Sequence, residues 1–198
     1  FTRVPYRDAA LTVLEDIAAA TEPYPAKCVL LACYDIETDE HGYLRSYRKI
    51  GVGEKAAHRK WFAYLDYAEC GPWVNGRTYC DTLQKPVIED FVKVTHERYK
   101  EVIGSEFGKA VPAIFTDEPQ FKPKRMLADA DDRERAIRPF RTDFDDTFRA
   151  AFGYSIFEKL PEVFFELPDG KKSQARWHFH DHSSERFAFA FSDTIGAW

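Results

Sequence analysis

Residues Ala110 to Thr116, AVPAIFT, are almost wholly apolar and run directly into Asp117, Glu118 and Pro119. An apolar run of this length reads as a parallel strand buried on both faces, with Pro112 near its start because proline lacks a ladder donor. A strand of that kind needs partners and covering helices. It therefore calls for an α/β sheet or barrel, and it places the acidic pair where such folds gather their function, at the carboxyl end of a strand.

The preceding segment supplies a covering helix. Ile88, Phe91, Val92, Thr95, Tyr99, Val102 and Ile103 recur three and four apart, with Glu89, Asp90, Lys93, Glu97 and Lys100 on the other side. Asp81 or Thr82 is placed to cap this helix and Gly104 to stop it. Further on, FRTDFDDTFRAAFG puts Phe144, Phe148, Ala151 and Phe152 on one helical face before Gly153. Ser155 and Glu158 form a capping box for a short helix that Pro161 ends, and Ser173 to Trp198 reads as an amphipathic helix with Trp177, Asp181, Ser184, Ala188, Phe191, Ile195 and Trp198 along one stripe.

The N-terminal part has a different texture. LTVLEDI fits a helix or a strand, and the spacing of Leu11, Leu14, Ile17 and Ala18 favours the helix. CVLLACYDIE, the turn TDEHG and YLRSYRKI form a hairpin; KWFAYLDYA, Lys60 to Ala68, follows as a third strand, so residues 27–68 read as a small antiparallel meander. The expected fold class is thus α/β, a partial (β/α)8 TIM-type barrel with an N-terminal β-rich insertion: the insertion over residues 1–70, the barrel portion over 71–198.

Composition narrows the ligands. The 198 residues carry a formal charge of -5 without a basic block, which leaves no electrostatic footprint for nucleic acid or an anionic membrane and favours neutral, polar, carbohydrate-like ligands. No apolar run is long enough to span a bilayer and no secretory leader is visible. Cys28, Cys33, Cys70 and Cys80 show neither C-x-x-C nor zinc spacing, so reduced, packed thiols and a cytoplasmic setting are expected. The chain begins at Phe1 and stops at Trp198 inside a helical pattern, which reads as a fragment of a longer protein; oligomerisation stays open.

Asp117 and Glu118 either cap the following segment or act chemically. A carboxyl at the mouth of an apolar barrel is partly desolvated, which suits it to general-acid work near neutral pH. Trp73 and Tyr79, on the irregular loop before the helix, either stack on a sugar face or cover core. Asp81 either binds a sugar hydroxyl or caps the helix. In HFHDH, His178 and His182 stand four apart, but neither the HExxH glutamate nor a third ligand accompanies them, so no metal site is assigned. His180 or Asp181 either lines the outer part of the site or lies on a solvated helical turn.

The stretch YCDTLQKPVIEDFVKVTHERYKEVIGSEFGKAVPAIFTDEPQF, Tyr79 to Phe121, resembles the barrel portion of glycoside hydrolases, in particular the family 106 α-L-rhamnosidase-like proteins of bacteria. The resemblance continues through DGKKSQARWHFHDHSSERFAFAFSDTIGAW, and more distantly Asp117-Glu118-Pro119 is similar to the Asn-Glu-Pro of clan A glycosidases. It implies a glycosidase with Glu118 as the catalytic acid/base and Asp117 where the clan binds a sugar hydroxyl; Asp81, Trp73, Tyr79 and His180, chosen for their positions, are the further candidate substrate-binding residues. It implies a second carboxylate from a later strand, beyond Trp198, and no cofactor other than calcium, which some members of the family use. A noncatalytic carbohydrate-binding protein is the alternative, and a metal-dependent hydrolase using the histidines a weaker third.

Overall fold

The computed structural model describes residues 11–16, 28–66, 70–117, 119 and 136–198. Five strands, β1 (Leu11–Asp16), β2 (Val29–Thr38), β3 (Leu44–Lys49), β4 (Arg59–Asp66) and β5 (Ala136–Pro139), form one sheet in the order β3-β2-β4-β1-β5. Every pairing in that sheet is antiparallel. The helices are α1 (Lys85–Val94), α2 (His96–Ile103), α3 (Phe144–Phe152), α4 (Pro161–Phe164), α5 (Gln174–Phe187) and α6 (Asp193–Ala197).

This architecture overturns the partial (β/α)8 barrel. A barrel needs parallel strands joined by crossover helices, whereas the sheet is antiparallel and its helices are grouped in sequence, an α+β arrangement. The AVPAIFT segment is the root of the error. After a turn at residues 108–110 it runs without regular structure, and Phe115 is 85% exposed. Without a neighbouring strand an apolar run stays outside a sheet, whatever its composition, and Pro112 removes one of the donors a ladder would use.

Two readings of the N-terminal region also change. LTVLED is strand β1, seated between β4 and β5 and paired with both. The three following strands are not a meander: β4 pairs with β2, not with β3, and β2 takes the middle position. The side chains explain this order. β2 is buried from Ala32 to Ile36, while β3 is charged and mostly exposed, a composition suited to an edge.

Because β2 and β4 alternate, the sheet buries both faces. Tyr34, Ile36, Trp61, Ala63 and Leu65 point to one face and join Phe140, Phe144, Phe148, Leu160, Val163, Phe164 and Phe179 in the main core. Cys33, Phe62 and Tyr64 point to the other and pack with Cys28 and Ile50. Helix α3 forms as expected, with Gly153 at a φ of 78° beyond its end, where a side chain would be strained. Ser155 caps a 3-10 turn over Ile156–Glu158, and Pro161 opens α4 where it was expected to end a helix.

Ser173 caps α5 by accepting from the Arg176 amide at 3.1 Å. The face of α5 that packs inward carries Ala175, Phe179, His182 and Ser183. The expected stripe beginning at Trp177 is displaced, and Trp177 itself is 62% exposed. Residues Ala188–Ser192 form a π turn between α5 and α6, so this one helical rod reaches from the sheet core to α1.

Candidate functional site

A cleft of about 580 Å³ opens on the side of α1 and α2, a volume typical of small-molecule sites. Its wall comes from the helix predicted over 81–103, which is broken at Thr95 into α1 and α2. The Thr95 hydroxyl donates to the Phe91 carbonyl at 2.5 Å, in competition with the helical amide bond from Thr95 to the same oxygen. Back-bonding of this kind bends a helix. Phe91, Thr95, His96, Tyr99 and Ile103 thereby face one opening.

The opposite lip is the segment after α2. Gly108, at a φ of 75°, turns the chain so that its amide donates to the Val111 carbonyl at 2.9 Å. Val111, Ile114, Phe115, Thr116, Asp117 and Pro119 then border the cleft. Tyr79 and Cys80 enter from the loop before α1, and Phe191 from the π turn. A π turn re-aims side chains by inserting one residue into the helical repeat, and such turns recur at functional sites.

The site has a wet rim and a dry floor. Asp117 and Phe115 are exposed, whereas His96 is only 5% exposed. Its imidazole sits edge-on between Phe91, at 5.4 Å between centroids, and Trp198, at 5.0 Å. Trp198 is held in turn by donating its indole N–H to Glu97. Burial keeps the His96 imidazole below its ordinary pKa and pushes the Cys80 thiol up. A neutral histidine and an un-ionised thiol leave Asp117 as the carboxylate among the described residues of the cleft.

The residues expected from the sequence divide. Tyr79 and Asp117, 38 positions apart in the chain, line the same cleft. Glu118 lies outside the described residues, but both of its neighbours in sequence, Asp117 and Pro119, border the cleft. Trp73 stands on a 3-10 turn, 97% exposed and away from the cleft.

Asp81 is buried and accepts hydrogen bonds from the Leu83 amide at 2.9 Å, the Gln84 side chain at 2.8 Å and Arg141 at 2.5 Å. It ties the start of α1 to the loop before α3. Gln84, not Asp81 or Thr82, occupies the cap position of α1. His180 is on α5, edge-on to Phe179 at 5.7 Å, and does not border the cleft.

His178 and His182 are packing residues. The His178 ring stacks on Phe152 at 4.1 Å and its Nδ1 meets the Tyr154 hydroxyl at 2.9 Å. The His182 Nε2 meets the Thr147 hydroxyl at 2.9 Å, and burial beside Arg186 lowers its pKa to about 4. Among the described residues no group of three or more His, Cys, Asp and Glu is placed to hold a metal ion. Among them, too, no helix is long and apolar enough to cross a membrane.

His96 is the residue that sequence reasoning missed. It sits one position beyond Thr95 and three before Tyr99, at the margin of the apolar stripe of the helix, where a polar residue reads as surface. Its position beside that stripe was the available signal. With this geometry in view, no family model matches the chain, and neither a curated protein nor a solved structure matches it.

Proposed function

We propose that the chain is part of a cytoplasmic carbohydrate-active protein, a glycosidase in which Glu118 serves as general acid and base and the cleft holds the glycoside. One observation carries the reading: Asp117 and Pro119, on either side of Glu118, border an aromatic cleft that Tyr79 also lines. Rings favour the apolar faces of sugars and of aryl groups, and a few polar groups fix orientation. The reading draws on the Asp-Glu-Pro resemblance and owes nothing to a barrel.

In the reaction, Glu118 gives its proton to the glycosidic oxygen as the bond to the anomeric carbon breaks, and positive charge develops on the sugar ring. A second carboxylate then acts as base or nucleophile on the other face. Asp117 is adjacent in sequence, and this role falls to another carboxylate.

The test is hydrolysis of aryl α-L-rhamnosides and aryl galactosides by wild type and by Glu118→Gln. The glycosidase reading expects Glu118→Gln to lose at least 100-fold in rate with binding largely kept. A noncatalytic carbohydrate-binding protein, the second reading, has the same cleft in its favour and expects binding without turnover in either protein. Absence of both binding and turnover would reject both readings.

A further inference from the structure

His96, which lines the cleft, carries a buried polar atom that the described residues leave unused. The hydroxyl of Thr95 has one proton, and it donates that proton to the Phe91 carbonyl. The same oxygen lies 2.8 Å from Nδ1 of His96, so it accepts there and Nδ1 carries the ring proton. Nε2 of the neutral ring is then a lone-pair acceptor. It is buried and has no hydrogen-bond partner among the described residues, while the residue lines the cleft.

We propose that His96 Nε2 is the recognition point of the cleft, and that the ligand group bound there is an aromatic ring carrying one free hydroxyl, which donates to it. The proposal rests on the glycosidase reading only in naming that ring as the aglycone of the glycoside. The surroundings select this chemistry. Phe91, Ile103, Phe107 and Phe191 offer apolar walls, where a polyhydroxylated ring would leave most of its hydroxyls unsatisfied. A single donor matches the single acceptor. The rings of Phe91 and Trp198 flank the imidazole and Nε2 is closed off from solvent, so entry of the hydroxyl requires a flanking group to move aside.

The experiment compares phenol with anisole, which has the ring without the donor, by titration against wild type, His96→Phe and His96→Gln, read by tryptophan fluorescence and heteronuclear NMR. In wild type the preference for phenol over anisole should exceed that in His96→Phe by roughly five- to tenfold. His96→Gln, whose side-chain oxygen can accept, should restore part of it. If His96→Phe does not fold, the ¹⁵N spectrum of wild type decides: Nε2 should report an unprotonated nitrogen that shifts on adding phenol and stays put with anisole.

Equal ratios in wild type and His96→Phe, an Nε2 that carries the proton, or no binding of either probe would overturn the proposal. The two readings fail separately. Phenol recognition without glycoside hydrolysis would remove the glycosidase and keep His96, and hydrolysis without a phenol preference would do the reverse.

Discussion

The sheet side and the cleft side of this molecule are both rich in aromatic rings, and they use them oppositely. On the sheet, Tyr34 of β2, Trp61 of β4, Phe140 just after β5, and Phe144 and Phe148 of α3 are at most 1% exposed and belong to one core cluster. Around the cleft, Tyr99 is 63% and Phe115 85% exposed, and no sheet backs them. Rings that fill a core hold the fold, and the Tyr34 hydroxyl is used internally, donating to the Phe157 carbonyl at 2.8 Å. Rings that border an opening contribute less to stability and remain available to a ligand.

The largest effect that separates the two sides is truncation of a core ring. Phe148→Ala should cost about 3–5 kcal/mol in chemical denaturation, and Phe115→Ala under about 0.5 kcal/mol. Equal losses would erase the distinction. Between them on the scale stands the polar tie that connects the two sides. Asp81→Ala removes the carboxylate from the largely buried Arg141 and should destabilise by about 2–4 kcal/mol, less any share that Asp143, 2.8 Å from the same guanidinium, retains. A variant of full stability would mean that Asp81 is free for a ligand after all.

The pH dependence sharpens the comparison further. The folded-state pKa of His182, about 4, lies below the unfolded value near 6.5. Protons therefore bind the unfolded chain more tightly, and stability is complete above about pH 6.5 and falls as the pH drops towards 4. The loss should reach on the order of 2–3 kcal/mol and be absent in His182→Gln, measured by urea denaturation across the range. Asp143 belongs to a lower window. Burial acts to raise its pKa, but hydrogen bonds from Arg141 and Arg186 outweigh it and hold the carboxyl below its usual value. Its contribution is kept above about pH 3.9 and lost below it. The smallest effect expected is from Trp73→Ala, within about 0.5 kcal/mol in stability and with no change in the affinity of a cleft ligand; a loss of affinity would extend the site to that loop.

What was legible in the sequence were features whose cause is local. The phenylalanine spacing of α3, the glycine after it and the start of the last helix at Ser173 each act within one or two turns, and each stands where its pattern puts it. The break at Thr95 was hidden because a threonine hydroxyl that competes for the Phe91 carbonyl leaves the apolar spacing intact. The strand order was hidden because β2 pairs with β4, and β1 with β5, across long sequence separations where no local pattern reports the partner. AVPAIFT misled most: its composition is that of a buried strand, yet among the described residues it pairs only through the single Phe107–Val111 bridge and lies at the cleft. The site was half legible, since Tyr79 and Asp117 border one cleft, while the reason for choosing them, a barrel mouth, was wrong. His96 needed the tautomer argument, which depends on a hydrogen bond that no spacing reveals.

The central claim is that the cleft between α1, α2 and the segment ending at Asp117 is where this protein meets its ligand. Amide chemical-shift mapping during titration with phenyl α-L-rhamnopyranoside tests it most directly. The account predicts shifts concentrated at Tyr79, Thr95, His96, Tyr99 and Asp117, with β2, β4 and α3 unmoved. Shifts centred instead on Trp73, or on Trp177 and His178 of α5, or none at saturating ligand, would contradict it.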